Sequence, residues 1–312
     1  MSDILRVENF CKSFKTGVAV DHLSFSIPKG SVFCLLGPNG AGKSTTIAML
    51  ASLMPRDEGK VFFDGSEVRG RPARYLSSLG IVPQEIALYG NLSARANLEF
   101  FASLYGLKGK TRAQRVAAAL DFAGLSDRAD EAVDNFSGGM KRRLNIGCAL
   151  CHSPELMIMD EPTVGIDPQS RNFILDSIRR LRDRGTTVIY TSHYMEEVEE
   201  IGDDILIMDH GKAIAEGTLE ELKSKIGDLR HYHLELDAEV PGLDAAFYRV
   251  SGMKRVATSG SVFDLESLPA IDNVDAIIKT ATSSGRRIVA FSSVESGLEQ
   301  VFLTLTGRSL RD

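Results

Sequence analysis

Gly37-Pro38-Asn39-Gly40-Ala41-Gly42-Lys43-Ser44 fits GxxxxGK(S/T) at every fixed position, and that spacing suits phosphate binding. Glycines let successive backbone N–H groups close around phosphate oxygens, and a helix starting at the end of the loop adds partial positive charge. Lys43 is placed to reach the β- and γ-phosphates of a nucleotide, and the Ser44 hydroxyl to ligate Mg2+. Other polar residues end apolar runs farther along. Leu156-Met157-Ile158-Met159 leads into Asp160 and Glu161. An acid at a strand tip beside a phosphate loop holds Mg2+, which suits Asp160, and Glu161 is positioned to polarise an attacking water. Gln84 follows Leu79-Gly80-Ile81-Val82-Pro83 and could coordinate Mg2+ or orient water through its amide oxygen. His193 ends the β-branched run from Gly185 and could bond the γ-phosphate, although a lone histidine also fits a structural role.

These side chains need strands that end near one another and a helix that begins at the loop. Ser31 to Leu36 is short and apolar, as expected of a strand buried in a parallel sheet. Ile47, Leu50, Ala51 and Met54 recur at the spacing of one buried helix face. Residues 4–27 alternate around Thr16-Gly17, which predicts a half-exposed antiparallel hairpin. Phe14 lies at its bend, where an aromatic ring either packs or stacks on adenine, the latter contributing ~1 to 3 kcal/mol by comparison with base stacking elsewhere. Lys60 to Gly65 reads as a further strand and turn. From Leu92 to Ala132 the pattern is helical, and Phe136-Ser137-Gly138-Gly139-Met140 opens another helix. Ser137 fits an N-cap, while Gly138 and Gly139 bare the backbone at the positive helix end, a second anion site. Lys141-Arg142-Arg143 and the acidic group Glu196, Glu197, Glu199, Glu200, Asp203 and Asp204 both read as solvated helix faces.

At 312 residues and 43% hydrophobic content, two domains have room for their own cores. A net charge of -6 argues against broad electrostatic binding to nucleic acid. The sequence contains no apolar run of 18 residues, and its first residues lack the basic and apolar regions of a signal peptide, so a soluble intracellular chain is expected. Cys148 and Cys151 have CxxC spacing, but they share a helical face with Leu144 and no second pair completes a zinc site. Buried helix-face cysteines are expected there. No Asn-Lys-x-Asp tetrapeptide that would read guanine occurs.

In order and spacing, these elements resemble the ATP-binding subunit of an ABC transporter over roughly residues 4 to 225. Walker A runs from Gly37 to Ser44, the glutamine loop carries Gln84, the signature spans Ser137 to Met140, and Walker B ends at Asp160 before Glu161. The D-loop is Val164-Gly165-Ile166-Asp167 and the switch histidine is His193. The signature begins with Phe136 where Leu is usual and ends with Met140 where Gln is usual, and Phe14 stands where Tyr is commonest. Ser137-Gly138-Gly139-Met140-Lys141-Arg142-Arg143-Leu144, Asn91 to Leu98, and Leu298 to Arg308 resemble the drug-resistance and polysaccharide or lipid exporters with ABC-2 type membrane partners.

The resemblance implies an α/β fold: residues 1–227 form the ABC ATPase domain, with a mixed sheet core, an antiparallel β subdomain and a helical subdomain at about 92–150. Residues 228–312 read as βαββαβα, with strands at 231–237, 250–257, 260–266 and 287–293, a small ferredoxin-like α+β domain of regulatory or dimer-stabilising role. It implies ATP bound by Phe14, Gly37, Pro38, Asn39, Gly40, Ala41, Gly42, Lys43, Ser44 and Thr45, with Ser137, Gly138 and Gly139 supplied by a second copy. Mg2+ falls to Ser44, Gln84 and Asp160, and catalysis to Glu161, His193 and Gln84. It further implies a homodimer or heterodimer acting on separate ABC-2 type permease subunits, without nucleic acid, at the inner face of the membrane. A soluble ABC ATPase working on ribosomes or DNA is the rival, and such proteins usually carry two cassettes or a long coiled coil. A nucleotide-binding regulator without turnover is a third reading, against which Glu161 and His193 argue.

Overall fold

The computed structural model describes residues 2–225, 229–268, 270–294 and 297–306. These form two compact units, one up to Leu219 and one from Glu220. The expected boundary at 227 and 228 lies outside the described residues, as do Ser296, Gly307 and Arg308.

In the first unit, β1 (Asp3–Phe14) and β2 (Gly17–Pro28) make the predicted hairpin. Strands β3 (Val32–Leu36), β4 (Glu58–Phe63), β5 (Ser66–Glu67), β6 (Leu79–Val82) and β7 (Leu156–Asp160) follow, then β8 (Thr187–Ser192), β9 (Asp204–Asp209) and β10 (Lys212–Gly217). Helices are α1 (Lys43–Leu50), α2 (Ala73–Ser77), α3 (Ala94–Leu104), α4 (Gly109–Phe122), α5 (Gly138–Leu150), α6 (Pro168–Asp183) and α7 (Met195–Ile201). An antiparallel sheet has the order β2-β1-β4-β5. A mixed sheet has the order β10-β9-β3-β8-β7-β6, parallel throughout except for β10. All of β3 and β8 is buried; β3 accordingly reads as a continuous apolar run, and β8 as a β-branched one. Phe10, Ile27, Phe33, Leu50, Ile158 and Ile189 share one core that runs through both sheets.

A parallel sheet brings its strand ends to one edge, and here β3, β7 and β8 end at the phosphate loop, the Asp160-Glu161 pair and the Ser192-His193 step. Helix α1 stops at Leu50, short of the expected face, because Ser52 turns the chain with φ +55°; Met54 still packs on the core. In the helical part, Leu98, Ala102, Val116, Leu120, Leu144, Cys148 and Cys151 form a separate core. Ser93 caps α3 by accepting from Ala96 N–H, and Ser137 caps α5 by accepting from Met140 N–H. The two cysteines are buried as expected; burial raises both thiols, Cys151 to about 11, and Cys151 Sγ donates to the Cys148 carbonyl.

Two surface expectations fail. Arg142 is buried: Nη1 donates to the Pro83 carbonyl at 2.7 Å and Nη2 to that of Gln84, while Arg143 lies over the Phe173 ring. Glu197 is fully buried, accepting from Thr163, Tyr190 and Ser192 and pairing with Arg171 at 2.8 Å.

The second unit takes α8 (Leu219–Lys225) from its second residue onward, then β11 (Arg230–Leu236), α9 (Leu243–Phe247), β12 (Met253–Ser259), β13 (Val262–Ser267), α10 (Val274–Ser283), β14 (Ile288–Val294) and α11 (Leu298–Thr306). Its sheet is antiparallel, in the order β12-β13-β11-β14. That is the ferredoxin-like arrangement expected from the βαββαβα order, though β12 starts at Met253, three residues later than the expected 250–257. Tyr232, Leu234, Leu236, Phe263 and Leu265 pack with Phe247, Ile277 and Ala281 as a core of its own.

Candidate functional site

A cleft of about 340 Å³ opens where β3 meets α1. Phe14, Pro38, Asn39, Gly40, Gly42, Lys43, Ser44, Thr45, Gln84 and Glu161 line it, together with Ala19, which sequence reasoning did not single out. Gly42 takes φ +102°, and a Cβ there would stand 2.4 Å from the Ala19 carbonyl oxygen. Glycine is therefore required twice over, by conformation and by the close approach of β2. Gly37 and Ala41 shape the loop from behind: Ala41 N–H donates to the Pro38 carbonyl, and Lys43 Nζ donates to those of Gly37 at 2.7 Å and Pro38 at 3.2 Å. Phe14 stands at the end of β1, 44% exposed at the mouth of the cleft, with Lys12 Nζ 5.7 Å from its ring centroid.

Glu161 is the centre of the polar network. It is buried, its Oε1 lies 3.3 Å from Lys43 Nζ and 3.4 Å from His193 Nδ1, and its Oε2 accepts from Gln84 Nε2 at 3.4 Å. Burial pulls the Lys43 ammonium below its usual range, and the Glu161 charge opposes that shift. The residue holds φ +46°, in the left-handed region that costs a non-glycine residue on the order of 1–3 kcal/mol. Thr191 offsets part of that cost. Its Oγ1 accepts from Glu161 N–H at 2.8 Å and donates to Asp160 Oδ1 at 2.7 Å. Thr191 pairs with Asp160 in the parallel register of β7 and β8, a placement that needs the strand alignment and is invisible in the residue types.

Ser44 Oγ donates to Asp160 Oδ1 at 3.4 Å, so a hydroxyl and a carboxylate converge across the cleft floor. Paired oxygen donors of this type fit Mg2+. Gln84 points its amide nitrogen at Glu161, which leaves the amide oxygen as an acceptor, and the Arg142 fork fixes the backbone of the same segment.

Ser137, Gly138 and Gly139 do not line this cleft. Gly138 has open space where a side chain would stand. Gly139 instead packs against the start of α6, where a Cβ would fall 2.0 Å from Ser170 Oγ and 3.0 Å from Asp167 Oδ2. The structure thus brings Phe14, most of the Gly37–Thr45 loop, Gln84 and Glu161 to one cleft and leaves the signature outside it.

Comparison with known proteins agrees with this geometry. Residues 20–164 match the ABC transporter family. The linearmycin resistance ATP-binding protein of Bacillus subtilis is 44% identical over 315 residues, covering 99% of this chain and 100% of that protein. The daunorubicin/doxorubicin resistance ATP-binding protein of Streptomyces peucetius is 37% identical, covering 94% and 89% of the two chains. A Nod factor export ATP-binding protein of Ralstonia nicotianae is 36% identical, covering 99% and 95%. Among solved structures, a nucleotide-free ATP-binding cassette from an ABC transporter superposes with a TM-score of 0.66 at 28% identity, covering 73% of this chain and 96% of that one. A dimeric cassette in a post-hydrolysis state with ADP and phosphate gives 0.62 at 25% identity, covering 69% and 98%. With a phosphate loop and a buried glutamate in one cleft, a strand-end histidine against that glutamate, and relatives matching over nearly their full length, this chain belongs to the ABC transporter family as an ATP-binding, ATP-hydrolysing subunit.

Proposed function

We propose that the chain drives export through ABC-2 type membrane subunits encoded separately, working as a dimer in which each ATP is completed by Ser137, Gly138 and Gly139 of a second copy. The observation that carries this reading is the split between the two anion-binding features: the cleft holds Lys43, Ser44 and Glu161, with Asp160 bonded to Ser44, while the signature helix starts outside it with Gly138 open. Drug-resistance and export relatives support the exporter reading. Among the described residues no helix is long and apolar enough to cross a membrane, which fits motion supplied to a partner.

In this mechanism Phe14 stacks on the adenine and the loop N–H groups hold the phosphates. Lys43, now held by its own loop carbonyls and by Glu161, turns its ammonium onto the β- and γ-phosphates. Ser44, Asp160 and the Gln84 amide oxygen are the groups that would hold Mg2+, which when bound neutralises charge on the phosphate oxygens. Glu161 accepts a proton from the attacking water, and His193 orients the glutamate and the γ-phosphate. Hydrolysis removes the charge pattern that held the two copies together, and the opening that follows is passed to the permease.

Glu161→Gln keeps the shape of the site and removes the base. It is expected to bind ATP as the parent does, to lose at least ~100-fold in steady-state hydrolysis, and to run as a dimer with ATP on size exclusion. Parental turnover in this variant would remove Glu161 as base, and a monomer at saturating ATP would remove the shared site.

A further inference from the structure

Outside the ATP cleft, β1, β2 and β4 bring three different metal-binding side chains together. A Cys11 sulfur, a His22 imidazole nitrogen and a Glu58 carboxylate oxygen all lie within 4.8 Å of one another. Two register breaks produce the cluster. Phe10 pairs with Leu23 and Lys12 with Val20, so Cys11 alone faces both Asp21 and His22; on its other side, beyond a second break, Cys11 pairs directly with Glu58. A bulge re-aims a side chain, and His22 takes φ +50° in this one.

We propose that Cys11, His22 and Glu58 form a zinc site on the antiparallel sheet. Thiolate, imidazole and carboxylate are the ligand types that zinc accepts in a tetrahedral shell, and three of them leave a fourth position for water. Cys11 is half-buried while His22 and Glu58 are exposed, so water reaches that position. The charges also match, because one thiolate and one carboxylate neutralise a divalent ion. On binding, the Cys11 thiol gives its proton to solvent and its sulfur lone pair to the metal. Two surrounding contacts support the ligands. Asp21 Oδ1 lies 2.6 Å from His22 Nδ1, which fixes the tautomer and leaves the other ring nitrogen for the metal. His22 N–H donates to Cys11 Sγ at 3.4 Å, which holds the sulfur beside the histidine. The softness of the sulfur selects zinc over magnesium, so the site does not compete for the ion that accompanies ATP.

The test uses the full chain stripped with a chelator and kept free of nucleotide. Zinc is titrated in competition with a chromophoric chelator, and Co2+ is added separately to follow thiolate-to-metal absorption in the near ultraviolet. One zinc per chain is expected, with affinity at least ~10-fold weaker in C11S and H22Q and weakened to a similar degree in D21N. ATP hydrolysis by the variants should match the parent, which verifies their fold independently of zinc. Failure of the parent to take up zinc, equal affinity in C11S and H22Q, or bound Co2+ without the thiolate band would each overturn the site.

Discussion

Thr191 shows how much of the cleft depends on one hydroxyl. It supports the left-handed backbone of Glu161 on one side and orients the Asp160 carboxylate on the other. Thr191→Val preserves shape but leaves the Glu161 N–H buried without an acceptor. The expected result is a loss of about 1–3 kcal/mol in urea unfolding, with kcat falling and ATP affinity little changed. An unchanged kcat would mean that Glu161 holds its conformation unaided. The residues that name the site were legible in the sequence because each stands at a fixed spacing or at the end of an apolar run: Lys43 in its loop, Glu161 and His193 at strand ends. Thr191 was not, since its role comes from lying opposite Asp160 in the neighbouring strand, about thirty residues away in the chain.

Between elements, buried polar side chains do what apolar periodicity cannot announce. Arg142 looks in sequence like one of three solvated cations, yet it spans from α5 to the carbonyls of Pro83 and Gln84. Such a role is written in the positions of carbonyls almost sixty residues away, and side-chain type says nothing of it. The end of the same helix holds a titratable joint. His152 stacks on Tyr105 at 3.5 Å and bonds the Leu79 carbonyl at the start of β6, and burial lowers its pKa to about 4 against an ordinary 6.5. Because the folded value lies below the unfolded one, the unfolded chain takes up the proton first as pH drops. The stability associated with neutral His152 is complete above about pH 6.5 and is lost progressively toward pH 4, by up to about 3 kcal/mol. Unfolding in urea at pH 8 and pH 5 is expected to show that loss, and His152→Phe, which keeps a ring but cannot titrate, to show less of it. Equal pH slopes in the two proteins would assign the loss to other groups.

For the molecule as a whole, each unit has a core of its own, built around Phe33 and Ile189 in the first and around Phe247 and Phe263 in the second. A chain ending at Lys225 should therefore fold and bind ATP with parental affinity, while dimerisation or coupling to the membrane partner weakens. Sedimentation and transport assays of that truncation distinguish the outcomes; normal dimerisation and normal transport would remove the role proposed for residues 228–312. The fold of this region was legible from its strand and helix order alone, while its purpose was not, because its described residues show packing and no chemistry of the kind that marks the first unit.

Glu197 has a consequence for how the cleft can change state. Its carboxylate holds Ser192 Oγ at 2.9 Å, and Ser192 Oγ in turn accepts the backbone N–H of Tyr194 at the same distance. The chain is thus tethered immediately before and immediately after His193. With the backbone fixed on both sides, the histidine keeps two side-chain torsions, and these sit in a few staggered or near-planar wells. A group with so few degrees of freedom responds in steps, as a toggle does, and a graded displacement of the surrounding strands reaches Glu161 as one of a small set of ring positions.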